Sequence, residues 1–193
     1  MVHLTALWLP ILLSVVAVFI ASSVIWMVLP IHKNDYKKLG DKESTVLAAL
    51  RSWGLGPGVY MFPGCDHATM KEPATIERMK AGPWGTITLM PEMCNMGKTL
   101  GLWALNLLII SVLVGYVAAH ALPINATFLN VFQIVFTVAL LAHGGNVLCD
   151  SIWKGRPWSH LPGSLFDALV YAALTGAAFG WLWPQQSLLL PGT

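Results

Sequence analysis

Four long apolar segments limit what this chain can fold into. They cover residues 7–30, 100–122, 128–148 and 165–183, and each is close to the roughly 20 residues that a helix needs to cross about 30 Å of hydrocarbon. Backbone groups in lipid must be hydrogen-bonded within the segment, and none of the four shows the alternating pattern of a β-barrel strand. We therefore predict an all-α integral membrane protein with four transmembrane helices.

The composition agrees with this prediction. Of the 193 residues, 56% are hydrophobic and 10% are charged, whereas charged residues make up about a quarter of a soluble domain. We interpret the first segment as a retained helix and not as a cleaved signal peptide, because no Lys or Arg precedes it and it exceeds the roughly 7–15 apolar residues of a signal sequence. We expect helix one in residues 1–31, a loop domain in 32–98, and helices two to four in 99–193, packed with helix one as one bundle.

The basic residues predict how the helices are oriented. The N-terminus, the short turn at 122–127 and the C-terminal tail contain none of the 11 Lys and Arg. All of them lie in the loops after the first and third segments, at Lys33, Lys37, Lys38, Lys42, Arg51, Lys71, Arg78, Lys80, Lys98, Lys154 and Arg156. The positive-inside rule then places both loops in the cytoplasm and both termini outside a bacterial inner membrane. Because the net charge of +2 comes with these juxtamembrane residues, nucleic-acid binding is not indicated.

The first loop has the residues of a small α+β cytoplasmic cap. Residues 45–53 carry apolar side chains on one helical face and are followed by the helix-breaking stretch "GLGPG". Residues 59–62 and 86–90 have the aromatic and β-branched content typical of strands, and residues 73–79 predict a second short helix that starts at a proline. We expect the apolar surface of this cap to rest on the bilayer, on the helix bundle or on a partner.

Cys65, Asp66 and His67 stand side by side in this loop and are the most conspicuous candidates for chemistry. Together with Cys94 and His32 they offer metal ligands, but their spacing matches no paired zinc motif. A cysteine nucleophile is a second alternative, although the adjacent carboxylate of Asp66 does not favour a thiolate. The stretch "FPGCDH" also has the residues of a turn in which Asp66 bonds to the local backbone. We interpret the cluster as this turn and predict no metal site.

Small residues recur at four-residue intervals in two of the apolar segments, which places them on one face of each predicted helix. They are Ser111, Gly115 and Ala119 in the second segment and Ala168, Ala172, Gly176 and Gly180 in the fourth. Such stripes let two helix backbones approach closely, which is how helices associate in lipid. We therefore predict that both stripes are helix-packing surfaces.

Polar side chains inside the apolar segments are costly in lipid and are candidates for a functional site. The candidate polar site consists of Asp167, Gln133 and Asn106. Asp167 lies near the positive end of the fourth helix, where capping or an ion pair with Lys154 or Arg156 would explain it.

His143 is a fourth intramembrane candidate, and the neighbouring Gly144 and Gly145 leave room for a flat ring. It is therefore the one candidate cofactor ligand, for the iron of a haem or the magnesium of a chlorophyll. A hydrogen bond to another helix explains it as well, and the sequence predicts no other cofactor.

Five stretches of this sequence, taken together, resemble a family of bacterial four-helix inner-membrane proteins of this size. The stretches are "PIHKNDYKKL", "GVYMFPG", "MKAGPWG", "DSIWKGRPWS" and "FDALVYAALTGAAFGWLWP". The resemblance runs over most of the chain and implies the same fold and location. No activity is established for that family, so the resemblance assigns no functional residue.

These features favour a non-catalytic function, because the chain has no Walker A, Rossmann, G-x-S-x-G or zincin motif. We predict an accessory or assembly subunit of a larger, energy-transducing bacterial membrane complex, respiratory or photosynthetic, which binds other integral membrane proteins through its small-residue helix faces. One alternative is a small transporter or channel in which Asp167, Gln133 and His143 converge. Further alternatives are a membrane enzyme that uses Cys65 and His67, or a tetrapyrrole-binding protein.

Overall fold

The computed structural model describes residues 2–185 and is mostly helical. Seven α-helices lie in this part of the chain: α1 Trp8–Met27, α2 Glu43–Ser52, α3 Pro73–Ala81, α4 Met96–Ala121, α5 Phe128–Gly144, α6 Val147–Trp153 and α7 Leu161–Trp181. Four helical stretches are long and apolar enough to cross a membrane: Leu4–Met27, Met96–Ala121, Phe128–Trp153 and Trp158–Trp181. The prediction of four membrane-crossing helices is thus confirmed by their length and composition.

Two of these helices begin earlier than their apolar runs. α4 begins at Met96, where the side chain of Asn95 accepts a hydrogen bond from the Lys98 backbone N–H at 3.1 Å. α7 begins at Leu161, with a proline in its first turn. Both starts are set by residues that suit a helix N-terminus and not by hydrophobicity.

The helices form a bundle in which α7 contacts α1 and α5, while α4 contacts the same two helices. Its largest core side chains include Phe179, Leu7, Val114, Val131 and Val135, all with less than 2% of their surface exposed. A polar contact crosses the core where the Ser14 hydroxyl of α1 lies 2.7 Å from the Ser111 hydroxyl of α4. These contacts tie the membrane-crossing helices into one compact unit.

The small-residue stripes lie against other helices of the same chain. A methyl group added at Gly115 would contact Phe179 of α7 at 3.3 Å, and one added at Gly176 would lie 2.9 Å from Phe132 of α5. The stripe alanines Ala119, Ala168 and Ala172 are at most 1% exposed. The bundle itself therefore covers most of both stripes.

Residues Tyr36–Cys94 form a second compact unit. It contains α2, α3 and two antiparallel strands, β1 Gly58–Phe62 and β2 Gly85–Leu89, with Tyr60 opposite Ile87. The predicted pair of short helices and the small two-stranded sheet are confirmed. No residue of α2 is buried, since its apolar face has no cover within this unit.

Candidate functional site

A cluster of four side chains, two of them buried, forms where α1 ends. Pro30 has no backbone N–H and cannot continue the helix, and a 3-10 turn, Pro30–His32, folds the chain back. This turn carries His32 under the end of α1, where its ring stacks on that of Trp26 with centroids 3.9 Å apart and 1° between the planes. His32 keeps 7% of its surface exposed. The other two members, Asp35 and Asp167, come from the following loop and from α7.

Both ring nitrogens of His32 face a carboxylate. Nδ1 lies 2.8 Å from Asp35 Oδ2, and Nε2 lies 3.1 Å from Asp167 Oδ2. A neutral imidazole has one N–H, so two such hydrogen bonds need the doubly protonated, cationic ring. Trp26 Nε1–H donates a further bond to Asp167 Oδ2 at 3.1 Å. The geometry therefore describes an imidazolium held between two carboxylates.

Two opposing effects act on the pKa of His32. Burial is the largest and by itself lowers the pKa, because it disfavours the charged ring. The hydrogen bonds to Asp35 and Asp167 and the charges of the two carboxylates together outweigh it, and they raise the pKa above 6.5. With the ring protonated and both carboxylates ionised, the three groups carry a net charge of −1.

A small residue on α7 makes room for the His32 ring. A methyl group at Gly163 would lie 3.0 Å from His32 Cε1 and 3.3 Å from Ile31 Cγ2, so a larger side chain would push the turn away from α7. His32 and Trp26 both contact the carboxylate of Asp167, which is 8% exposed.

The partner of Asp167 differs from the one predicted. Lys154 Nζ binds Asp150 at 2.7 Å, and Arg156 Nε contacts His160 at 3.4 Å. The expected ion pair of Asp167 with Lys154 or Arg156 is therefore wrong. Both basic residues precede α7 and bind nearer partners. His32 instead lies in the turn that follows α1, a helix that contacts α7.

A second polar layer lies one turn further into the bundle. Trp103 Nε1–H of α4 donates to the Ser22 hydroxyl of α1 at 3.0 Å, and that hydroxyl donates to the Phe19 carbonyl at 2.9 Å. Tyr171, one turn after Asp167 on α7, contacts the Trp103 ring with centroids 6.2 Å apart. His143 of α5 meets the edge of Tyr171 at 5.3 Å.

The candidates for a transport cavity are not all brought together. Asp167 is buried, whereas Gln133 lies on the exposed surface of α5 and Asn106 on the exposed surface of α4. His143 lines a crevice beside Ser14, Ser111 and Thr175 whose free volume, about 10 Å³, is roughly that of one water molecule and far below that of a small organic ligand.

The Cys65, Asp66 and His67 stretch forms the predicted turn. Asp66 Oδ1 accepts hydrogen bonds from the Thr69 backbone N–H and hydroxyl, each at 2.9 Å. These bonds lower the pKa of Asp66. Cys65 and Cys94 are exposed thiols, and within residues 2–185 no three His, Cys, Asp or Glu side chains are arranged to hold a metal ion.

From the sequence, His32 was a candidate only as a metal ligand beside Cys65 and Cys94, and Asp35 and Trp26 were not candidates. The available signal was Asp167 itself, because a carboxylate one to two turns inside a membrane helix requires a donor at the same depth. The end of the first segment, with a Trp, a His and a Pro within seven residues, supplies such donors.

Comparison of the chain with family models, with curated proteins and with solved structures finds no match. A function for this chain therefore has to be inferred from its own residues and their geometry.

Proposed function

We propose that this protein is an accessory or assembly subunit of a larger, energy-transducing complex in the bacterial inner membrane. The observation that carries the proposal is a pair of carboxamides, Asn106 and Gln133, on exposed surfaces of two helices that are long and apolar enough to span a membrane. Within residues 2–185 neither carboxamide has a hydrogen-bond partner. In a bilayer these groups would face lipid, where an unpaired amide is costly.

The position of Asn106 makes this cost high. It is six residues after Leu100, where the apolar segment begins, which corresponds to about 9 Å along the helix axis and thus to a depth well inside a roughly 30 Å hydrocarbon layer. Its neighbours on the exposed face, among them Leu105, Ile109 and Leu113, are apolar. A transmembrane helix of a partner that presents its own polar group at this depth would satisfy the carboxamide.

Gln133 marks a second contact surface on α5. It lies five residues after the start of α5, so it is nearer to one membrane boundary than Asn106 is. Thr137, on the same face, bonds the Gln133 backbone carbonyl at 2.8 Å and needs no partner. The Gln133 carboxamide is thus the group on this face that an additional helix would pair.

The exposed carboxamides replace the small-residue stripes as the surfaces for partners. Phe132 and Phe179 already cover Gly176 and Gly115 from within the chain, so these glycines are not free for a second protein. We propose that both termini lie outside and that residues 36–94 lie in the cytoplasm, on the distribution of Lys and Arg.

His32 gives additional support for a non-catalytic function. Each of its nitrogens is engaged by a carboxylate, so the protonated ring has no lone pair for a metal ion. A transport function would need Gln133 to join Asp167 and His143 at one cavity, and Gln133 lies on an exposed surface instead.

The proposal is tested by purifying tagged protein from its native membrane in mild detergent and identifying the bound proteins by mass spectrometry. Asn106→Leu and Gln133→Leu should each weaken binding of a partner by about 3- to 30-fold, which corresponds to about 0.6–2 kcal/mol for an interhelical hydrogen bond. Asn106→Gln keeps the carboxamide, and Leu113→Ile changes only an apolar residue of the same exposed face. Both controls should retain the partner.

Two results would contradict the proposal. It would be overturned if the wild-type chain came out of the membrane as a monomer without partners. It would also be overturned if the double variant Asn106→Leu, Gln133→Leu bound the same proteins in the same yield.

A further inference from the structure

We propose that His32, Asp35 and Asp167 form a proton-binding site that fixes the junction between α1 and the loop unit to the start of α7. The site is independent of the proposed role as a subunit, because it involves neither Asn106 nor Gln133. Its ligand is the proton on the His32 ring that allows both carboxylates to be bound at once.

The proposal depends on the number of N–H groups on the His32 ring. In the protonated ring Nδ1–H donates to Asp35 and Nε2–H donates to Asp167, at 2.8 Å and 3.1 Å. Loss of one proton leaves one N–H, so one carboxylate must then face a bare nitrogen lone pair. Two carboxylates and a neutral ring would carry a charge of −2 in a largely buried site, and this is unfavourable.

The structure also indicates which contact is lost. Asp167 keeps the Trp26 indole N–H as a donor, and it lies on α7, a helix held by the bundle. The Asp35 carboxylate has no donor other than His32 within residues 2–185. Asp35 lies in a non-helical stretch and is only partly buried as a residue, so a short displacement takes its carboxylate into water. Deprotonation therefore releases Asp35.

The location of Asp35 gives this release a consequence. Asp35 is the last residue of the segment that belongs with the helix bundle, and Tyr36 begins the loop unit. While the proton is bound, the junction is held to α7 through His32. Once the proton leaves, residues 33–35 lose this side-chain tether. Two backbone bonds still link them to the turn, from Asp35 N–H to the His32 carbonyl at 3.1 Å and from Lys33 N–H to the Pro30 carbonyl at 3.3 Å.

The charged and titratable groups around the ring are few. Asp35 from the same turn and Asp167 from α7 are the charged groups that raise its proton affinity. Trp26 of α1 and Gly163 of α7 form its uncharged walls. Tyr171 of α7 interacts electrostatically with Asp167. A change of charge at Asp35 should thus act directly on the protonation of His32.

The direction of the pH effect follows from the raised pKa of His32. The tether is complete below about pH 6.5, the usual pKa of a histidine, and it is lost as the pH rises through the higher pKa of the folded protein. A site of this kind would lose its proton when the pH rises on the side of the membrane where His32 lies.

The test is a pH titration of the full chain in lipid nanodiscs, with isotope-labelled histidines observed by NMR. The chain has six histidines, and His32→Gln identifies the His32 signal. If that variant does not fold, the other histidines are substituted one at a time and His32 is assigned by elimination.

We expect His32 to titrate above about pH 6.5, the usual pKa of a histidine, and we expect Asp35→Asn to shift its midpoint downward. Asp41→Asn, which removes a carboxylate elsewhere in an exposed part of the chain, should leave the His32 midpoint unchanged. The proposal is overturned if His32 titrates at or below about pH 6.5. It is equally overturned if Asp35→Asn and Asp41→Asn have the same effect.

Discussion

Replacing Gly176 with alanine tests the packing of α7 on α5 at a close contact inside the bundle. The new Cβ would lie 2.9 Å and 3.0 Å from two ring carbons of Phe132 and 3.4 Å from the Phe132 carbonyl oxygen. The ring has little room to turn away, since it is stacked between Phe128 and Phe136 with centroids 5.8 Å and 5.5 Å apart. The carbonyl belongs to the α5 backbone and moves only with that helix. We therefore expect the two helices to separate slightly.

The expected change in the free energy of unfolding is the difference between a packing cost and a gain in helix propensity. Overpacking a well-filled contact costs about 1–3 kcal/mol, whereas replacing glycine by alanine within a helix gains about 1 kcal/mol. Gly101→Ala in α4 isolates the second term, because a Cβ there would meet nothing within 4 Å. Gly176→Ala should accordingly be less stable than Gly101→Ala by about 1–3 kcal/mol, or about 5- to 150-fold in the unfolding equilibrium constant.

The measurement is reversible unfolding in mixed detergent micelles, followed by circular dichroism, for the wild type and both variants. Gly180→Ala provides a graded comparison. Its Cβ would come within 2.7 Å of Phe128, but Phe128 is 41% exposed and can swing outward, so we expect a smaller loss than at Gly176. Equal stability of Gly176→Ala and Gly101→Ala would show that the α5–α7 contact is not tight, and the reasoning would fail.

Three further predictions concern the ends and the loop of the molecule. In intact cells an impermeant thiol reagent should label a cysteine placed at the exposed His3 and leave Cys65 unlabelled, and equal labelling would contradict the proposed orientation. Cys65→Ser and His67→Gln should leave the protein folded and its partners bound, because the turn depends on Asp66. The prediction would be wrong if the purified wild type contained stoichiometric zinc and these variants lost both the zinc and the fold. Above about pH 6.5 the stability of the wild type should fall as the pH rises through the raised pKa of His32, and a thermal unfolding series should show a flatter profile for Asp35→Asn.

The helices were predictable because the bilayer permits few alternatives. A run of about 20 apolar residues has one stable backbone structure in lipid, and the four runs of this chain correspond to the four long helices. Their starts were less accurate, since residues 95–98 and 161–164 are not continuously apolar. Asn95 caps α4 through its side chain, a feature that a hydrophobicity pattern does not contain.

The buried cluster was not predictable in the same way. His32 and Asp167 are separated by 135 positions in the sequence, and no local pattern reports that α1 and α7 meet. Asp167 could be recognised as a costly residue, but the sequence placed Lys154 and Arg156 nearest to it. The choice of His32 depends on the turn after Pro30 and on the space left by Gly163, which only the folded bundle defines.

Under the proposed function, the distribution of paired and unpaired polar groups indicates which surface another protein would complete. Within residues 2–185 every buried side-chain nitrogen and oxygen has a hydrogen-bond partner, as in the pairs Ser14–Ser111 and Trp103–Ser22. The carboxamides of Asn106 and Gln133 differ, because they lie on exposed faces of long apolar helices and have no partner there. A chain that pairs its interior polar groups so completely would gain nothing from amides directed at lipid, so these two residues mark the faces where a further transmembrane helix is expected.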